Sequence, residues 1–167
     1  AYNESMQVAR NRSAWGKQLI EHPLMRRQLI KILVPAEQGV SVFMLAASQL
    51  DQANAGSESA KQVVRMLTPL IKIRACRDAV IAARAALESR AGNGVIEEWV
   101  NPKLVRDAHI ALVWEGTSNI NAIDVIRRAV GKSRAHEPLK AVVLDRLGSL
   151  TRLPDAYRLR LQKALDR

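Results

Sequence analysis

The stretch "GNGVIEEWVNPKLVRDAHIALVWEGTSNINAIDVIRRAV" (residues 92–130) decides how the chain folds. It opens on the glycines of a turn. A short amphipathic run follows over about residues 103–109, then a break at "EGTS", then a helical run to Val130. Thr117 or Ser118 is the expected N-cap, because a side-chain hydroxyl oxygen accepts an otherwise orphaned N–H of the first turn. Gly131 closes the run. One carboxylate, Glu115, stands in the break between Trp114 and Gly116. It reads two ways. A carboxylate near a helix N-terminus is favoured by the helix dipole and needs no further role. A base at the mouth of a site is the second reading, with Trp114 supplying drier surroundings that raise a carboxyl pKa toward what proton abstraction needs.

Helical spacing continues on the N-terminal side. A first helix is expected to end near Trp15-Gly16. His22-Pro23 marks the start of the next, since Pro is tolerated in a first turn. Over about 24–51, Leu29, Ile32, Leu33, Val40, Phe43, Met44 and Leu50 return as one stripe, with a kink expected at Pro35. After "DQANAGSES" a third long helix spans about 58–90. Thr68-Pro69 is expected to interrupt it as a kink, or as a restart capped by Thr68. "AGNG" (91–94) ends it with residues that left-handed caps favour. Two further helices fall near 137–147 and 154–166. Long helices with short connections predict an all-α chain, an antiparallel four-helix bundle with extra C-terminal helices. The expected division is a bundle over 1–131 and a basic helical extension over 132–167.

Composition narrows the function. A single cysteine, Cys76, excludes an internal disulfide framework and fits a reducing, cytoplasmic setting. His22, His109 and His136 are scattered and lack the close spacing of zinc ligands. "AGNG" follows no strand, so it is not a dinucleotide fingerprint. No apolar run approaches the ~20 residues of a membrane span, so no membrane partner is expected. The first residues look like the middle of an amphipathic helix, which hints that the chain begins inside a larger protein. The formal charge is +10. Residues 131–167 hold nine Lys/Arg against four Asp/Glu, or +5, half of that excess. "RNRSAWGK" (10–17) sets Arg10, Arg12 and Lys17 around Trp15. It is either a basic helix end with a core indole, or a site where arginine meets phosphate and the indole stacks on a ring.

Together, "RNRSAWGKQLIEHPLMRRQL" (10–29) and the stretch quoted first are similar to the C-terminal helical domain of flavin-dependent acyl-CoA dehydrogenases. The order of R-x-x-aromatic-G, G-N-G, R-D-A and E-G-T-S-N-I carries the resemblance over roughly residues 1–131. "HPLMRRQL", "LTPLIKIRACRD" and the basic tail look most like the alkylation-response (AidB-type) branch. The resemblance implies that Glu115 is the base that takes the α-proton of an acyl-CoA thioester while hydride leaves for FAD. It also implies an electron-transfer acceptor and a homo-dimer or tetramer with a cofactor site shared between subunits. Residue by residue, Arg12 matches the FAD pyrophosphate contact and Trp15 the aromatic near the adenine end. Thr117 and Asn119 match flavin contacts after the base, and Gly92, Asn93 and Gly94 match the loop that approaches the neighbouring subunit's FAD. Two positions depart from the family. Ala91 replaces the first of two glycines, and Glu88 stands where a glutamine often meets FAD. The rival expectation is a DNA-binding or DNA-protecting helical module with little dehydrogenase activity, working through the basic tail.

Overall fold

A computed structural model describes residues 1–166. Helix α1 (Tyr2–Asn11) leads into a two-stranded hairpin, β1 (Ser13–Ala14) and β2 (Lys17–Gln18). Helices α2 (Pro23–Asn54) and α3 (Glu58–Ser89) follow, each of 32 residues. Then come α4 (Val100–Val113) and α5 (Ser118–Asp124), which runs on as a π-helical segment (Val125–Val130). The last two are α6 (His136–Ser149) and α7 (Asp155–Leu165). The described chain is all-α apart from the small hairpin, as expected.

Local chemistry accounts for most boundaries. Pro23 opens α2, where its missing N–H costs nothing. The Ser57 hydroxyl caps α3 by accepting the Ala60 N–H at 3.2 Å. Two expectations are corrected and one feature is new. The first helix stops at Asn11, because Arg12 is extended (φ −115°, ψ 136°) and feeds the hairpin. Trp15 and Gly16, at φ +50° and +76°, make its two-residue turn, and such turns need two positive φ values. The helix α3 does not restart at Thr68-Pro69. The Thr68 hydroxyl donates back to the Val64 carbonyl at 2.9 Å, so Thr68 is no cap, and Pro69 is buried within a continuous helix. The π-helical segment, where the Gly131 N–H reaches the Ile126 carbonyl at 3.0 Å, has no counterpart in the sequence pattern.

The chain divides into two compact units. One holds Ala1–Leu45 with Pro69–Ala122, and the other holds Ala46–Thr68 with the residues from Ile123 on. In the first unit Gln28, early in α2, donates to the Ala85 carbonyl (3.1 Å) and the Glu88 carboxylate (2.8 Å), late in α3. The two helices therefore run antiparallel. Ile32, Ala85 and Ala86 form the core beneath Tyr2 and Ala82. Ser89 bonds Ser5 at 2.9 Å and Arg90 pairs with Glu4, which ties α1 to the end of α3. Lys72 donates to the Ala111 carbonyl and so joins α3 to α4. In the second unit Arg65 holds both oxygens of Asp124, at 2.8 and 2.7 Å. Arg158 of α7 donates to the Leu147 carbonyl of α6 at 2.6 Å.

The stripe on α2 splits. Leu29 and Ile32 are buried, whereas Val40, Phe43 and Met44 are about 60% exposed. One 18-residue window of α2 has a mean hydropathy of 1.5, long and apolar enough to cross a membrane by length and composition alone. This corrects the reading by contiguous runs, which misses an apolar average punctuated by Glu37, Gln38 and Ser41.

Candidate functional site

All eight residues singled out from the sequence lie in the first unit. They fall on two turns and a hairpin. The turn after α4 begins where the Trp114 N–H closes onto the Ile110 carbonyl at 3.2 Å. Glu115 and Gly116 then take φ +53° and +91°, a left-handed pair that redirects the chain into α5. For a side chain as long as glutamate that conformation costs roughly 1–2 kcal/mol. Asn121 holds the turn in place. Its amide donates to the Gly116 carbonyl at 3.0 Å and the Thr117 carbonyl at 3.1 Å. The Asn121 N–H also reaches the Thr117 carbonyl at 3.1 Å, which puts Thr117 at the main-chain N-cap position. A Cβ on Gly116 would lie 3.3 Å from the Asn121 amide nitrogen. Sequence reading missed Asn121. Its one signal was an amide side chain four residues beyond Thr117, where it can reach back to main-chain carbonyls. Glu115, Thr117 and Asn119 are exposed. Trp114 is itself 68% exposed, so within this chain it does not supply the drier surroundings expected for Glu115.

The hairpin and the end of α3 form a cleft of about 430 Å³, lined by Arg12, Trp15, His22, Gln28, Glu88 and Ala91 among others. Trp15 is 89% exposed, which excludes the core-indole reading. The His22 ring stands nearly perpendicular to the indole with centroids 5.6 Å apart. A His22 ring nitrogen lies 3.1 Å from the Ala14 carbonyl, which steadies that ring against the hairpin. A smaller cleft of about 140 Å³ brings Arg12 together with Arg90 and Asn93.

The 91–94 turn departs from expectation. The residue in the left-handed region is Ala91 (φ +54°), not a glycine. Gly92 has open space around it. Gly94 is buried, and a Cβ there would come 2.2 Å from the Leu87 carbonyl oxygen, so close packing on α3 alone accounts for that glycine. The segment beyond is anchored to α4 by Glu97, whose carboxylate takes both Arg106 guanidinium nitrogens at 2.7 and 3.0 Å. Those bonds hold the Glu97 carboxyl below its usual range.

Among the described residues, the non-glycine residues in the left-handed region are Trp15, Ala91, Glu115 and Arg134. Three of these four sit at positions that the sequence had marked. Such strain persists only where surrounding structure over-determines it, and it concentrates at functional sites. The fold thus gathers Arg12, Trp15 and the 91–94 turn around adjoining clefts. Glu115, Thr117 and Asn119 lie on a separate turn that does not line the larger one.

Comparison with known proteins adds an independent line. A model of the acyl-CoA dehydrogenase C-terminal domain matches residues 1–130. The chain is 32% identical over 123 residues to acyl-CoA dehydrogenase family member 11 of Caenorhabditis elegans, covering 72% of this chain and 20% of that protein. It is 29% identical over 127 residues to the putative acyl-CoA dehydrogenase AidB of Escherichia coli, covering 76% and 23% respectively. The solved structure of Caenorhabditis elegans ACDH-11 in complex with C11-CoA superposes with a TM-score of 0.81 at 28% identity, over 88% of this chain and 25% of that one. The chain therefore spans only a fifth to a quarter of the proteins it matches.

Proposed function

Because this chain belongs to the acyl-CoA dehydrogenase family, as its C-terminal domain, we propose that it works as one part of a flavin-dependent enzyme that oxidises an acyl-CoA thioester. The observation that carries this reading is the Glu115 turn. The Glu115 backbone is left-handed, the two carbonyls that follow it are clamped by Asn121, and its side chain stands free toward solvent.

The chemistry suits such a turn. A proton α to a thioester is far too weak an acid for a free carboxylate. Removal becomes feasible when the developing enolate oxygen meets aimed donors in a dry site. Glu115 takes the α-proton onto its carboxylate, and its own backbone N–H is a donor for the thioester oxygen. The drying surface comes from outside this chain, since Trp114 is exposed here. FAD, when bound, supplies the acceptor for the hydride that leaves the β-carbon.

The residues present fit the adenosine-diphosphate half of that cofactor. A cleft of about 430 Å³ sets the Arg12 guanidinium beside an outward-turned indole. Arg12 would hold the pyrophosphate and Trp15 would pack against the adenine end. Asn93 shares the smaller cleft with Arg12, and Gly92 beside it, with Thr117 and Asn119 from the Glu115 turn, would meet the cofactor. Val40, Phe43 and Met44 leave an apolar face outward on α2, and further domains or second copies, as in a dimer or tetramer, would cover it. An electron-transfer acceptor completes the turnover, and the single cysteine supports a cytoplasmic setting.

The test is Glu115→Gln in the protein as it occurs natively. Flavin is retained, and its bleaching by acyl-CoA slows by at least 10²–10⁴-fold, the usual contribution of a positioned base. Undiminished bleaching removes Glu115 from the role. A second reading draws on the C-terminal segment, where Arg152 in the α6–α7 connection and Arg160 and Lys163 on α7 are exposed. These charges would contact the phosphates of DNA, as in the rival module.

A further inference from the structure

Lys72 stands half-buried near the middle of α3. Its ammonium goes to neutral acceptors. It donates to the Ala111 carbonyl of α4 and, at 3.5 Å, to the Cys76 sulfur one turn further along its own helix. Ala111 lies in the last turn of α4, four residues before Glu115. In an unbroken helix its carbonyl receives the Glu115 N–H, because each N–H bonds the carbonyl four residues back. Here the pattern breaks. Trp114 is extended at ψ 148° and Glu115 is left-handed at φ +53°. The Trp114 N–H takes the Ile110 carbonyl at 3.2 Å, and the next rung belongs to Lys72. The last carbonyls of a helix lack main-chain partners and carry the negative end of its dipole, so a cation is their favoured partner.

We infer that Lys72 is a positioning residue for Glu115: by taking the Ala111 carbonyl it stops α4 from winding on through Glu115, and so leaves the Glu115 N–H free for the thioester oxygen. This deepens the acyl-CoA reading above and rests on it. Two donors compete for one carbonyl. Without the ammonium, the half-buried Ala111 carbonyl is left unpaired, and the helix pattern offers it the Glu115 N–H. Capturing that N–H would return Trp114 and Glu115 to helical backbone and relieve the left-handed strain at Glu115. It would also withdraw the donor and swing the carboxylate, so both groups that act on the thioester move together. The turn is thus held from two sides. Asn121 grips the Gly116 and Thr117 carbonyls from α5, and Lys72 grips the end of α4 from α3.

The experiment uses the full native protein with its flavin. Lys72→Met keeps the side-chain length and removes the ammonium. Bleaching by saturating acyl-CoA is expected to slow roughly 10²-fold, the effect of a lost oxyanion donor or a misplaced base, with FAD retained. Lys72→Arg still donates to a carbonyl and is expected to recover most of the rate. The distinguishing readout is the infrared stretch of an isotope-labelled thioester carbonyl in bound enoyl-CoA, the product. Binding to the wild type lowers its frequency, and in Lys72→Met the frequency returns toward that of free enoyl-CoA. Bleaching by Lys72→Met at the wild-type rate overturns the proposal. So does slow bleaching with the carbonyl stretch as in the wild type, which leaves Lys72 a structural role only. If Lys72→Met does not fold, amide hydrogen exchange on the substrate-free wild type decides. The Trp114 N–H is protected and the Glu115 N–H is expected to exchange freely; equal protection overturns the proposal. Undiminished bleaching by Glu115→Gln removes the acyl-CoA reading and this inference with it. An inactive Glu115→Gln beside a fully active Lys72→Met removes Lys72 alone.

Discussion

Ala91 holds φ +54° at a position where the chain needs a left-handed residue to leave α3. A methyl group there meets its own carbonyl, at a cost of roughly 1–2 kcal/mol. Part of that returns through the lower freedom of alanine in the unfolded chain. Ala91→Gly should therefore raise stability by about 0.5–1 kcal/mol. A denaturant midpoint shifted upward at unchanged slope checks it, and an unshifted midpoint contradicts the strain. Asn121 is the second residue whose role lies in geometry. Its amide spans two carbonyls of the Glu115 turn. Asn121→Ala should cost about 1–2 kcal/mol. It should also slow substrate bleaching of flavin about tenfold or more without loss of flavin, because small misplacements of a base are expensive. A variant that bleaches at the wild-type rate would mean the turn holds itself. At this scale Glu115, Arg12 and Trp15 stood out in the sequence as candidates, through the motifs that hold them and the resemblance those motifs carry. Asn121 was not, since its partners are main-chain oxygens that no letter marks.

The helices were legible to within a few residues, because apolar spacing and caps are local signals. The expected 24–51 and 58–90 became Pro23–Asn54 and Glu58–Ser89. The errors arose where tertiary burial or turn geometry overrode local propensity. Pro69 was tolerated mid-helix, and Trp15-Gly16 folded as a hairpin turn instead of a helix end. The glycines of the 91–94 element show the same limit. Gly94 matters for packing, since a Cβ would strike the Leu87 carbonyl at 2.2 Å, whereas Gly92 is unconstrained. Gly94→Ala should destabilise by about 1–3 kcal/mol, the usual penalty of overpacking, and Gly92→Ala by far less. Thermal unfolding of the two variants side by side is the check. Equal shifts would mean that the turn yields as a unit.

For the molecule as a whole, the charge of the C-terminal helices is the open quantity. Some of it is neutralised within those helices, by Arg134 with Glu137 and by Lys140 with Asp166 at 3.0 Å. If the remainder serves DNA, removing residues 132–167 should weaken duplex binding at low salt. The slope of log affinity against log salt should become shallower by up to about 4, near 0.9 per lost phosphate contact. Affinity that ignores salt or the deletion would assign those charges to solvation. Periodicity, caps and short motifs are properties of neighbouring residues, so the helical class, the order and rough bounds of the helices, and the family could be read from the amino acids alone. The folded chain settled which half of the α2 stripe is core, and that Trp15 faces solvent. It also decided that Ala91 and Glu115 sit in strained backbone and that Glu88 shares a lining with Arg12. The α2 split and the Glu88–Arg12 lining depend on packing against residues far along the chain, whereas the Trp15 and Glu115 turns are set by main-chain geometry and near neighbours such as Asn121; neither leaves a pattern of residue types.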